Sequence, residues 1–260
     1  MIGAMHDLYP GLITHFLIAL SLGTALFSWI ASPKLTGAGF IRLITGHGVI
    51  FLVLLGLLAA ALFPQALGAS LLLPAGAALL AMALQWWLQG DERSSRSWLL
   101  YATQALASAA LLWSAKPWPG NLFLFTSFVF LGITHYAMLL GHYYLVVPKL
   151  SERPLLVCLR LLWLVMALKL VAAALGTWRA ESYLVEGTEL GDGFVFNWLV
   201  VSMRWLWGYV AVAVLSYFAW RLCRMRSIQS ATGVLYIMVF FVFVGELLSA
   251  YLYLKHGLCI

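Results

Sequence analysis

Charge is the scarcest commodity in this chain: Asp, Glu, Lys and Arg together make up 9% of its residues, against roughly 25% in soluble domains. A chain so poor in charge cannot clothe a water-facing surface, which excludes an ordinary soluble enzyme or binding domain. Cysteine is nearly absent as well. Cys158, Cys223 and Cys259 lie far apart with no C-x-x-C spacing, so neither a thiolate metal site nor a disulfide framework is expected. Glycine-rich nucleotide loops, c-type haem attachment sequences and iron–sulfur ligand runs are missing too, which assigns any such centre to another chain. The start, M-I-G-A-M-H-D, lacks a basic n-region, so the first apolar span is expected to be retained.

Long apolar runs are what the sequence has in abundance. Hydrophobic residues reach 64%, and many runs exceed the ~20 residues that cross about 30 Å of hydrocarbon. The pattern predicts an all-α, polytopic integral membrane protein, with residues 1–260 forming a single transmembrane domain. Eight helices are expected, over 8–30, 41–63, 71–88, 98–113, 121–147, 155–176, 197–223 and 231–254. Pro33, Pro64, Pro117, Pro148 and Pro154 mark connections, because proline disfavours helix in the residue before it. Pro74 is expected in the first turn of the third helix, where a missing N–H does no harm.

Basic residues set the expected orientation. Lys34, Arg42, Arg93, Arg96, Lys149, Arg153, Arg160, Arg221, Arg224 and Arg226 fall on one side, and Lys116, Arg179 and Lys255 on the other. The richer side reads as cytoplasmic, which puts both termini outside and suggests a bacterial inner membrane. The +6 net charge therefore belongs to short loops and headgroup contacts, and no nucleic-acid partner is implied. The loop over 177–196 carries Glu181, Glu186, Glu189 and Asp192 against Arg179, an acidic face suited to a soluble cytochrome or a peripheral subunit.

Within the spans, polar side chains are few, and each is a functional hypothesis by default. His135 and His142 sit seven residues apart on the fifth helix, on one stripe and about 10.5 Å apart along the axis. His47, on the second helix, is expected at the depth of His142, each about five residues from the inner surface. That pair is the expected set of axial ligands for the iron of one b-type haem, with Gly46, Gly48 and Gly141 admitting a flat macrocycle. Small-residue helix packing explains the same glycines without any cofactor. His15 and His135 match poorly in depth, and are expected to hydrogen-bond a quinone carbonyl or relay a proton.

Lys169, Arg204 and Glu246 share a second level, in the outer half. Structural ion pairs are one reading. The sharper one makes Glu246 and Arg204 the reactive residues of a quinone pocket, with Trp205, Trp207 and Tyr209 available for stacking. Together these point to a membrane subunit of a respiratory-type electron-transfer complex, binding haem b or quinone and working with partner redox subunits. As an enzyme it would be at most the quinone-reactive subunit of such a complex. A proton-coupled transporter or channel built on Lys169, Arg204 and Glu246 is the alternative, and a structural or assembly subunit the second. No motif ties the chain to a known family.

Overall fold

In the computed structural model the described residues are 2–31, 33–62, 64, 69–89, 120–147 and 150–260. Among them every regular element is helical. We label these α1 (Ile2–Ile18, running on into a π-helical segment, Ala19–Gly23), α2 (Pro33–Thr36), α3 (Ala38–Leu62) and α4 (Ala69–Leu88). Then come α5 (Gly120–Val146), α6 (Arg153–Arg179), α7 (Phe194–Arg224) and α8 (Ile228–His256). A second π-helical segment, Leu206–Ala211, interrupts α7. The expected helix over 98–113 lies outside the described residues.

Five of these helices, α3 and α5 to α8, are long and apolar enough to cross a membrane, consistent with an integral membrane protein. The apolar stretches Tyr9–Gly23 and Leu72–Leu88 are shorter. Boundaries differ from the sequence expectation by a few residues. α3 begins at Ala38 and α6 runs on to Arg179. α4 begins at Ala69, which places Pro74 beyond the first turn. Apolar periodicity is flat across such ends, so the hydrophobic signal alone cannot fix them.

α5 is the hub. Two thirds (67%) of its apolar window is buried, against a third (33%) for α3 and for α6. It packs on α8, on α6 and on the π-segment of α1, while α3 packs on α4 and α1, and α7 on α8 and α6. One close helix crossing joins Gly132 of α5 to Gly23: a Cβ on Gly132 would meet the Gly23 carbonyl at 2.3 Å. Only two bare Cα atoms permit that crossing. A second such contact joins Gly208 of α7 to Gly245 of α8, where a Cβ on Gly245 would lie 2.4 Å from the Gly208 Cα.

α8 ends in a left-handed glycine, Gly257 (φ 72°), whose N–H bonds the Tyr253 carbonyl at 2.9 Å. Leu258 N–H reaches the Leu252 carbonyl at 3.2 Å, the paired bonds of a helix-ending reversal. The chain then turns back, and Ile260 is fully buried among Ala180, Tyr183, Val200, Val201 and Leu252.

Candidate functional sites: an imidazole pair and a buried ion cluster

His47 of α3 and His135 of α5 meet through their Nε2 atoms at 2.8 Å. Their ring centres are 5.0 Å apart and their planes differ by 25°. Adding the distance from each Nε2 to its own ring centre to 2.8 Å accounts for nearly all of that 5.0 Å. The rings therefore meet end to end rather than face to face, the N–H of one Nε2 donating to the lone pair of the other. Phe51 stands edge-on to both, its ring 4.7 Å from that of His47 and 6.4 Å from that of His135. His135 is buried and His47 half-buried, and Nδ1 of His135 has no hydrogen-bond partner among the described residues.

Helix ends explain why His135, and not His142, faces His47. From Ala38 to His47 is nine residues, about 13.5 Å along the axis; from His135 to Val146 is eleven, about 16.5 Å; from His142 to Val146 is four, about 6 Å. Starting α3 at Ala38 rather than at 41 sinks His47 to the level of His135. His142 is exposed instead, and its Nδ1 lies 2.8 Å from the hydroxyl of Tyr236 on α8. His142 and His47 are thus engaged with different partners.

The other three charges expected inside the spans come together. Lys169 Nζ donates to Ser127 Oγ at 2.7 Å and to Glu246 Oε2 at 2.9 Å. Arg204 Nη2 forms an ion pair with Glu246 Oε1 at 3.0 Å and donates to the Tyr209 hydroxyl at 2.6 Å. Arg204 Nε donates to the Ile260 carbonyl at 3.3 Å, which also accepts from the Ser249 hydroxyl. Glu246 and Arg204 are fully buried, and Lys169 is 2% exposed. Charges withdrawn from water in this way persist only when paired and hydrogen-bonded. Two cations share one carboxylate here, so the cluster carries one excess positive charge.

His15 is buried and makes no hydrogen bond to the ion cluster among the described residues. It lies within electrostatic reach of Glu246 and Lys169, and its Nε2 has no hydrogen-bond partner among the described residues. The aromatic residues of α7 divide. Trp205 Nε1 donates to Thr177 Oγ1 at 3.2 Å, Trp207 meets Phe241 edge-on, and Tyr209 lies under Arg204, 4.2 Å from its guanidinium carbon.

Ser127, Ser249, Ile260 and Tyr236 carry no sequence signal for these roles. Tyr209 hides for a different reason. In an α-helix, residues five apart diverge by about 140°, so Arg204 and Tyr209 would not face each other. The π-segment beginning at Leu206 widens the turn and swings Tyr209 back under the guanidinium, the kind of bulge common at functional positions.

The fold and its two polar centres thus describe an all-helical chain with several apolar spans around a charged interior. No family model matches it, and neither does any curated protein or solved structure.

Proposed function

We propose that this chain is an eight-span integral membrane protein of the bacterial inner membrane, with both termini outside. In this reading it is an electron-transfer subunit in which His47 and His135 hold the iron of one b-type haem. The end-to-end meeting of the two imidazoles carries the proposal. Nitrogen ligands lie about 2.0–2.1 Å from a metal, so the two Nε2 atoms, now 2.8 Å apart, would have to separate for His47 and His135 to hold the iron between them. Among the described residues there is no group of three or more His, Cys, Asp or Glu side chains able to hold a metal. A bare ion would find two protein ligands only, whereas a haem carries nitrogen ligands of its own and would ask the protein only for His47 and His135. Such a group supplies one-electron transfer, and the imidazoles fix its position in the membrane. Quinone and partner redox subunits are the proposed electron donors and acceptors.

The test is a reduced-minus-oxidised visible spectrum of the purified protein, expressed with haem supplied. Soret and α bands are expected in the native chain, lost in His47→Ala and in His135→Ala, and retained in His142→Ala. Bands that survive both losses, or a native protein free of haem, refute the assignment.

A second reading rests on the excess positive charge of the Lys169–Glu246–Arg204 cluster, which suits a proton-coupled transporter or channel. Proton uptake into proteoliposomes that disappears in Glu246→Gln, from protein lacking any haem spectrum, would favour it.

A further inference from the structure

We infer that the groove between α5, α6 and the turn after α8 binds an anionic phospholipid, with its phosphate on Arg179. The cavity measures about 570 Å³, and its lining includes Phe123, Leu168, Ala172, Leu175, Arg179 and Cys259, with no acidic side chain among the described residues. Arg179 is exposed, and no described carboxylate forms an ion pair with it. Thr126, also in the wall, has given its hydroxyl proton to the Phe123 carbonyl at 2.8 Å. Arg179 is left as the cationic donor at the mouth.

Three observations select the occupant. Leu168 and Leu175 are 61% and 55% exposed, so the groove opens along the side of α6 that faces hydrocarbon. From Leu168 to Arg179 is eleven residues, about 16 Å of helix, close to half of the ~30 Å hydrocarbon core. That is the length of one acyl chain in one leaflet, ending where a headgroup lies. Trp178, 84% exposed beside Arg179, marks the same interfacial level.

Charge selects the headgroup. Phe123, in the groove wall, has its ring centre 5.4 Å from Lys169 Nζ, and Lys169 belongs to the buried cluster with one positive charge in excess. The groove is therefore biased toward anions from its inner wall and from its mouth. A zwitterionic lipid would bring a cationic group to the same place.

Native mass spectrometry of the full chain in detergent tests this, with phosphatidylglycerol and phosphatidylcholine of equal chain length as probes. The native protein is expected to retain phosphatidylglycerol more tightly than phosphatidylcholine. Arg179→Gln is expected to weaken phosphatidylglycerol about fivefold, what one basic residue near an anionic headgroup is worth, and to weaken phosphatidylcholine, whose phosphate is already neutralised by its own ammonium, by less. Ala172→Trp fills the groove and is expected to weaken both. Equal retention of the two lipids by the native protein overturns the proposal. So does an Arg179→Gln protein with undiminished phosphatidylglycerol binding, or an Ala172→Trp protein that keeps the lipid in full.

Discussion

Replacing Glu246 with glutamine removes the carboxylate that two buried cations, Lys169 and Arg204, share. Its carboxylate oxygens lie 2.9 Å from Lys169 Nζ and 3.0 Å from Arg204 Nη2. At an effective dielectric of about 20, each attraction at ~3 Å is worth about 5.5 kcal/mol before desolvation is counted. Removing one partner from a buried pair costs about 3–5 kcal/mol in practice, because the survivor is left charged and dry. Two cations are orphaned here, so Glu246→Gln is expected at the upper end of that range. Lys169→Met added to Glu246→Gln leaves one orphan instead of two, so the double variant is expected to be more stable than the single one by over about 1 kcal/mol. Reversible unfolding in mixed micelles of rising dodecyl sulfate fraction, followed by far-UV circular dichroism, measures both. A cost below about 1 kcal/mol for Glu246→Gln, or no recovery in the double variant, would refute the claim that this cluster is a tightly coupled ionic unit.

Two other perturbations probe separate parts of the fold. Gly132→Ala places a Cβ 2.3 Å from the Gly23 carbonyl; α5 must back away by roughly 1 Å, with an expected loss of about 1–3 kcal/mol by the same unfolding assay, whereas Gly56→Ala, whose Cβ meets nothing within 4 Å, is expected to be harmless. Asp192 accepts from Lys255 Nζ and from the Tyr251 hydroxyl, each at 2.8 Å, and the hydrogen bond from Lys255 above all holds its carboxyl below the ordinary carboxylate range. A folded-state pKa below the unfolded one means that this stabilisation is complete above about pH 4 and is lost as pH falls through the folded value. The group is largely exposed, so the effect stays under about 1 kcal/mol; an Asp192→Asn protein whose stability falls as steeply as the native one below pH 4 would contradict it.

Much of this architecture is legible in the sequence because a bilayer imposes a coarse rule: apolar runs become spans, and the few charges within them must find one another. Lys169, Arg204 and Glu246 lie on three different helices, and the common depth read from the sequence is the level at which the packing of those helices brings them together. The histidines are harder to read, because depth there had to be resolved to a single turn. His135 and His142 share a stripe, and a three-residue shift in the start of α3 decides which of them His47 meets. Interior periodicity says nothing about that boundary. Main-chain partners such as the Ile260 carbonyl are invisible for another reason: they depend on a reversal at Gly257 that brings the last residues back against Arg204.

The two π-segments share a design. Each contains a glycine, Gly23 in Ala19–Gly23 and Gly208 in Leu206–Ala211, and each glycine touches a second glycine on a neighbouring helix, Gly132 or Gly245. In both cases a buried polar residue lies within one turn after the partner glycine on the same helix: His135 three positions after Gly132, and Glu246 immediately after Gly245. An α-helix that gains one residue in a turn shifts the azimuth of everything beyond it by about 100°, which offers a new face without breaking the helix. Paired with a bare Cα, that face can approach a neighbour closely enough to shut out lipid beside the polar group. A charged or imidazole side chain in hydrocarbon needs such a tight seal around it, because an open flank would leave it facing lipid rather than its partner. The same local solution therefore encloses both centres, and the glycine contacts are as much part of the imidazole pair and the ion cluster as the side chains that carry their chemistry.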